Sequence, residues 1–535
     1  MNKIVKIILD INNNRFNKVN IDKNCYIYIY KYMGENLLFK DLKSIKEKKI
    51  PYIYYQIDGE NIINLEISTG IIRAIPIFYM INDKNELIIS DDIKKVEKYK
   101  KNLKLKYDEI LNFLSFGYAL NKNTLLKNIF QIQAGEKLKC SLGEKISLEN
   151  YFIYDFEKNN SYDREKYIVD FENILYKTFE EYLPILKNRK IIVPLSGGYD
   201  SRLIVSMLKE FDIKDVLCVS YGIKNNFETK KAKIVANELN YNLDIFEFEL
   251  FDMINLYDDI QYNEYIESSS LKNSLAVSQE FLMVKYLIDK YNFDKNEIIF
   301  IPGHTGDFIS GGHILLELLN NSNKENFKKS IYKKHSLRTN IKYDLLKHYK
   351  FYSEESYKNY EFFNWRERQS KFIVNANRNY DFNGYSWVIP FWYNDFVEFW
   401  TKVPLEYKFQ KNLYDEYLEE ILFKKYKIDF DKLERQKIRK KGRNIFFNKT
   451  KNILKKNKLI LNLYKKLNLN RNPQGYDKMG QYTLKITEKK YPYGYEILDN
   501  ILKKEFESFN RVNINAYPTE FYVSKLLEEY EIDEL

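Results

Sequence analysis

At 535 residues, with 86 lysines and arginines against 75 aspartates and glutamates, the chain carries a formal charge of +11. Its 44% hydrophobic fraction excludes wholesale disorder, and so modest a basic surplus suits an anionic ligand without requiring nucleic acid. Cys25, Cys140 and Cys218 are too scattered for a disulfide framework or a metal spacing, no apolar run reaches the ~18 residues of a membrane span, and the N-terminal apolar stretch is too short for a signal peptide, so the expectation is a cytoplasmic protein.

Residues 1 to about 155 carry many short apolar runs, such as Cys25 to Tyr30, Ile50 to Ile57 and Glu86 to Ser90, separated by polar turns. One helix is predicted over Tyr107 to Phe116, where Ile110, Leu111 and Leu114 recur at helical spacing. After Tyr154 the pattern changes. Ser161 is placed to cap a helix carrying Tyr167, Phe171, Ile174, Thr178 and Tyr182. Strands are predicted at Lys190 to Leu195, Asp215 to Tyr221, Leu243 to Leu250 and Glu297 to Ile301. Helices are predicted from Ser201, over Glu228 to Leu239, and over about Ser274 to Tyr291. Strands alternating with helices imply a parallel sheet. From about residue 320 the reading is helical, with aromatics dense over Trp387 to Trp400 and basic residues clustered over Lys424 to Lys466. The predicted organisation is a mainly β, α+β domain over 1–155, followed by an α/β domain over 156–535 whose C-terminal part is helical.

The segment Pro194-Leu195-Ser196-Gly197-Gly198-Tyr199-Asp200-Ser201 lies between a predicted strand and helix, where open α/β sheets bind ligands. Gly197 and Gly198 let the backbone approach an anion, Ser196 and Ser201 offer hydroxyls, and the helix aims free N–H groups at the loop. That composition predicts a pyrophosphate cradle, with Asp200 as a Mg²⁺ ligand between phosphates. The Walker spacing is absent. A second segment, Gly303-His304-Thr305-Gly306-Asp307 through Gly311-Gly312-His313, follows another strand of the same sheet. There Asp307 is the expected second carboxylate on Mg²⁺, and His304 an acid–base or phosphate-binding group.

In that order these segments resemble the asparagine synthetase superfamily, whose synthetase domain is of the PP-loop ATP pyrophosphatase (adenine nucleotide α-hydrolase-like) type. Ser196 to Ser201 matches S-G-G-x-D-S. Ser220-Tyr221-Gly222 with Glu228 and Val235 to Leu239 is similar to the strand and helix enclosing adenine, and Gly303 to Gly312 to the family's G-x-G-x-D-E-x-x-x-G-G. Arg435-Gln436-Lys437 resembles the R-x-K that brings a catalytic lysine to the phosphates. Ser68 to Lys137 follows the later half of the family's glutamine-amidotransferase domain. The resemblance implies ATP and Mg²⁺ as cofactors, with Leu195, Ser196, Gly197, Gly198, Asp200, Ser201, Ser220, Tyr221, Gly222 and Gly303 around the nucleotide. Asp200 and Asp307 would hold the metal, and Lys437 and His304 would be catalytic. It also implies an amide-forming ligase: a small-molecule, saccharide or peptide carboxylate is adenylylated, pyrophosphate leaves, and ammonia or a substrate amine takes the acyl group. Nucleic acid is not an expected partner. The sequence departs from the family at position 2, where Asn2 replaces the amidotransferase cysteine, so glutaminase activity is not expected. It departs again at His304, Phe308 and Ser386, where the family has glutamates. A catalytically inactive binding protein and a PP-loop RNA-modifying enzyme are the alternative readings.

Overall fold

A computed structural model of the chain describes residues 3–33, 41–156, 163–278, 280–319, 323–430, 479–506, 511 and 513–533. Strands are numbered in chain order. In the N-terminal region, β2 (Phe16–Asp22), β3 (Cys25–Tyr30), β4 (Tyr52–Asp58), β5 (Asn61–Ser68), β9 (Glu136–Ser141) and β10 (Ser147–Asn150) form a six-stranded antiparallel sheet. A second sheet holds β1 (Lys6–Leu9), β7 (Glu86–Ser90), β6 (Phe78–Ile81) and β8 (Phe130–Gln131), with β1 parallel to β7 and the remaining pairs antiparallel. The predicted helix Tyr107–Phe116 is present and ends on Gly117 at φ 87°, a left-handed cap that suits glycine.

The second region is built on a five-stranded parallel sheet in the order β13–β12–β11–β14–β15. These strands are β11 (Lys190–Pro194), β12 (Val216–Gly222), β13 (Asn242–Glu247), β14 (Ile298–Phe300) and β15 (Ser386–Trp387). Ile191, Ile192 and Val193 of β11 are fully buried, as an unbroken run of branched residues in a sheet covered on both faces requires. Because β12 and β14 flank β11 on opposite sides, the chain reverses its winding there, and a crevice opens at the carboxyl ends of β11 and β14.

Several boundaries differ from the sequence reading. Ser161 lies outside the described residues, and Asp163 caps the helix Arg164–Leu186. The helix after β11 starts at Tyr199 rather than Ser201, so Asp200 sits in its first turn. The helix expected from about Ser274 begins only at Phe281. Its missing turns are extended because partners elsewhere claim their backbone. Leu275 donates to Gly117, and the Leu275 and Val277 carbonyls accept from Asn375, Tyr265 and Asn379. The short strand β15 was not foreseen. Among the described residues the C-terminal region is mainly helical, with two π-helical stretches, Asn364–Ile373 and Leu418–Leu422.

The two regions are packed together. One apolar cluster runs from Ile4 to Leu527, Met33 pairs with Trp387, and the Trp365 indole donates to the Ile71 carbonyl at 2.7 Å. No helix among the described residues is long and apolar enough to cross a membrane.

Candidate active site

The crevice is a cavity of about 670 Å³ whose walls are Pro194–Ser201, Ser220, Tyr221 and the segment from Pro302 to Asp307, together with Phe227, Glu228, Lys231, Glu280 and Lys411. Three loops at the carboxyl ends of parallel strands therefore meet where the topology reverses.

Local geometry explains the cradle. Gly197 adopts φ 72°, and a Cβ there would lie 2.4 Å from Lys231 Cβ. Gly198 caps the helix Tyr199–Glu210 without a side-chain hydrogen bond, so no cap occupies the first-turn N–H groups, which suits an anion. The Gly198 N–H donates to Ser196 Oγ at 3.2 Å, and Ser196 Oγ lies 3.3 Å from Ser201 Oγ. Behind the loop, the fully buried Arg202 donates to the Gly197 carbonyl at 2.6 Å and to the Ile428 carbonyl at 2.7 Å. This guanidinium ties the cradle to the chain just before residue 431.

Asp200 Oδ1 accepts from Tyr414 Oη at 2.8 Å, and Asp200 Oδ2 accepts from the Asp307 backbone N–H at 3.0 Å. Asp307 Oδ1 accepts from the Phe308 N–H, and Oδ2 lies 3.0 Å from His313 Nε2. Burial, and then the charge of Asp307, push Asp200 up to about 6. Asp307 is pushed up by burial too, but the hydrogen bond and charge of His313, with Lys411 beyond them, hold it down at about 2. Two carboxylates that repel each other on a cavity wall, with oxygen lone pairs to spare, are a hard-oxygen donor set suited to Mg²⁺ shared with phosphates. No third metal-ligating side chain joins them among the described residues, which fits an ion that keeps waters and phosphate oxygens.

The expected ligands Leu195, Ser196, Gly197, Gly198, Asp200, Ser201, Ser220, Tyr221 and Gly303, with His304 and Asp307, all line the cavity. Gly222 does not. It is the last residue of β12, paired with Glu247, and its carbonyl accepts the Phe248 N–H, so its backbone belongs to the sheet edge. Lys437, with Arg435, Gln436 and the basic run after it, lies outside the described residues. Gly303 and Gly306 lie against Asp200 and Ser201, and Gly311 and Gly312 against Lys408, Asp307 and Lys411. These glycines admit the close approach of neighbouring protein, and Gly303 also borders the cavity.

Glu280 and Lys411 are among the cavity residues that escaped the sequence reading. Glu280 was hidden inside the expected helix. Lys411 follows Gln410, and both adopt left-handed backbone (φ 59° and 55°), which costs on the order of 1 kcal/mol each for a residue with a Cβ. Nothing in Phe409-Gln410-Lys411-Asn412 announces such a turn, yet it carries Lys411 to the cavity wall beside both carboxylates.

Residues 185–439 match the family model described as asparagine synthase. Over 249 residues the chain is 25% identical to the putative asparagine synthetase (glutamine-hydrolyzing) 2 of Methanocaldococcus jannaschii, a match covering 44% of this chain and 45% of that protein. The matched stretch is thus less than half the length of that relative. Among solved structures, NMN synthetase from Francisella tularensis aligns at 13% identity and a TM-score of 0.19 over 28% of this chain and 58% of that one. The NH3-dependent NAD synthetase from Campylobacter jejuni aligns at 18% identity and a TM-score of 0.15 over 23% and 61%. Overlaps that small decide nothing about fold or chemistry. Over residues 185–439, the chain is similar to the asparagine synthase family.

Proposed function

We propose that the chain is an ATP-dependent ligase that adenylylates a substrate carboxylate, releases pyrophosphate and passes the acyl group to ammonia or to an amine of a substrate. One observation carries the reading: the S-G-G-x-D-S loop, an uncapped helix N-terminus and two carboxylates face one cavity at the switch point of a parallel sheet. Ser196, Gly197, Gly198 and Ser201 bind the phosphates, while Ser220, Tyr221 and Gly303 border the nucleoside. Asp200 and Asp307 hold Mg²⁺, which supplies charge neutralisation between phosphate oxygens when bound. Lys411 adds a positive charge beside them. Lys437 is proposed to meet the negative charge developing on the α-phosphate. Phe430, a few residues before Lys437 in sequence, lies under the cavity residue Lys231, whose ammonium sits 5.8 Å from its ring.

Residues 1–155 are proposed to form a degenerate amidotransferase-like domain, and 156–535 the synthetase. Burial pushes the thiols of Cys140 and Cys218 up to about 11 and about 12, which denies both the thiolate a glutaminase or an RNA-thiolating enzyme needs. Purified protein is expected to release no glutamate from glutamine.

The test is pyrophosphate release from Mg-ATP across a panel of amino-acid, sugar-acid and peptide carboxylates. Release that depends on one carboxylate class supports the ligase. ATP binding without carboxylate-dependent release from any class would favour a binding protein instead.

A further inference from the structure

The sequence gives the cavity one acid–base candidate, His304, but the structure adds a carboxylate beside it and constrains the histidine. Glu280 lies at the start of the helix Phe281–Tyr291, and its side chain is only 10% exposed. Its Oε2 accepts a hydrogen bond from Tyr380 Oη at 2.7 Å. The Tyr380 ring stacks on Phe300, with centroids 4.2 Å apart and planes 14° apart. Phe300 ends β14, which leads directly into the segment bearing His304. The carboxylate and the imidazole are thus fixed to one frame. Glu280 Oε1 lies 3.8 Å from His304 Nε2, a gap longer than a hydrogen bond, and both residues line the cavity.

Among the described residues, His304 Nδ1 is buried with no hydrogen-bond partner, so the tautomer is set by what faces Nε2. A proton on Nδ1 would be a buried orphan donor, costing about 1–3 kcal/mol, and would turn the Nε2 lone pair towards the Glu280 carboxylate. A proton on Nε2 leaves Nδ1 an unpaired acceptor instead, but it turns an N–H, not a lone pair, towards the negative charge of Glu280. In that form His304 has no lone pair at the atom facing Glu280 and cannot take a proton there. It can donate one hydrogen bond.

We infer that Glu280, not His304, is the proton acceptor for the attacking amine, that the amine enters as a cationic ammonium group drawn to the Glu280 carboxylate, and that His304 donates its Nε2–H to the acyl oxygen. This rests on the ligase reading above and deepens it by naming the acceptor class. An alkylammonium or ammonium ion has no lone pair until it loses a proton, and a desolvated carboxylate both attracts the cation and accepts that proton as the new bond forms. In the step, the nitrogen lone pair forms the C–N bond to the acyl carbon. The bond from that carbon to the adenylate oxygen breaks, and AMP leaves with its electron pair. One ammonium proton passes to Glu280, which frees the nitrogen lone pair and later returns the proton to solvent; the second proton, which the nitrogen must lose to end as a neutral amide, leaves with the phosphate of the departing AMP. Tyr380 is a positioning residue, since it reaches the reaction only through Oε2.

The experiment uses the full chain with Mg-ATP, the carboxylate found in the pyrophosphate screen, and three nucleophiles: ammonium chloride and methylammonium chloride, which are protonated at neutral pH, and hydroxylamine, which is not. Pyrophosphate, amide and hydroxamate are measured separately, and thermal melting checks the fold. Glu280→Gln is expected to keep pyrophosphate release and hydroxamate formation within about 3-fold of wild type. Amide formation from the two ammonium salts should fall by roughly 10² or more, the size of a general-base contribution. His304→Gln, whose amide still donates but cannot accept a proton, is expected to keep amide formation within about 10-fold. Four results overturn the inference while leaving the ligase reading intact: equal loss of hydroxamate and amide in Glu280→Gln; undiminished amide in that variant; a larger amide defect in His304→Gln than in Glu280→Gln; or wild-type protein that forms hydroxamate but no amide from either ammonium salt. Wild-type protein that releases no pyrophosphate with any carboxylate overturns the ligase reading itself, and this inference with it.

Discussion

Asp200→Asn should stabilise the metal-free fold at neutral pH while abolishing carboxylate-dependent pyrophosphate release, and Asp307→Asn should destabilise the fold while abolishing the same activity. The opposite signs come from the two environments. Asp200 is lifted from 3.8 to about 6 by burial and by Asp307. At about 1.4 kcal/mol for each tenfold change in the proton equilibrium, its charged form costs the folded protein on the order of 3 kcal/mol at pH 7. Asparagine removes that cost. It can keep the Tyr414 hydroxyl as a partner but loses an acceptor for the Asp307 N–H, worth about 1 kcal/mol. The net gain is therefore about 1–2 kcal/mol, a rise in Tm of a few degrees at most for a chain of this size. The folded carboxyl binds protons more tightly than the unfolded one, so wild-type stability falls as pH rises from about 4 to about 6. The advantage of Asp200→Asn should grow across that window and level off above it. Asp307 has the reverse shift, lowered by His313, so its replacement discards a favourable charged hydrogen bond. Thermal melting from pH 4 to pH 8 in magnesium-free buffer, paired with pyrophosphate assays, tests this. An Asp200→Asn protein that melts below wild type at pH 7, by a margin unchanged in acid, would refute the argument that the two carboxylates repel each other.

Gly303→Ala should cut turnover by roughly 10²-fold and cost about 1–3 kcal/mol of stability, because the new Cβ would sit 2.5 Å from the Ser201 backbone nitrogen and push the helix start off its place. Calorimetric ATP binding and melting curves report the two effects separately. Lys411→Ala should weaken Mg-ATP binding about 10- to 100-fold with the fold retained, the worth of one charged contact to phosphate, and titration calorimetry measures it directly. Lys437→Ala should lower turnover by roughly 10²–10³ through loss of transition-state stabilisation. Lys440→Ala and Lys441→Ala should each change turnover less than about 5-fold, as solvated charges do. Equal effects at all three positions in steady-state pyrophosphate assays would reduce the segment to a basic patch.

Features held in short contiguous segments were legible in the sequence. The branched run Ile191-Ile192-Val193 could only be an interior parallel strand, and the loop after it could only turn with Gly197 in left-handed backbone. Asp200 and Asp307 were readable because each follows such a strand directly. Glu280 was not, because periodicity extended its helix back to about Ser274. The true boundary is set by hydrogen bonds from Tyr265, Asn375 and Asn379, whose proximity is a fact of the tertiary fold. Lys411 was invisible for a related reason. Its position depends on two adjacent left-handed residues, neither a glycine, that local propensity argues against. His313 shows the converse: a plain packing residue in sequence terms, it grips Asp307 through Nε2, while Asn364, in the π-helical stretch, lies 2.8 Å from its Nδ1.

The glycines of the second segment show why the nucleotide half of the site is so compact. A Cβ on Gly306 would stand 2.8 Å from Asp200 Oδ1 and 2.9 Å from Tyr414 Oη. One on Gly311 would stand 2.3 Å from the Lys408 carbonyl, and one on Gly312 would stand 3.0 Å from the Lys411 side chain. These glycines therefore let two distant segments close onto the strand-end loop: the cradle helix at Gly306, and the Lys408–Lys411 turn at Gly311 and Gly312. Lys408 anchors that turn. Fully buried, it donates to Tyr154 Oη at 2.8 Å and to the Trp400 carbonyl at 3.0 Å, and Tyr154 in turn donates to the Ile309 carbonyl. Tyr154 lies at the end of the N-terminal region, so the residues that place Lys411 beside the carboxylates begin outside the matched synthase segment. The N-terminal region thus helps hold the turn that carries Lys411 to the cavity wall.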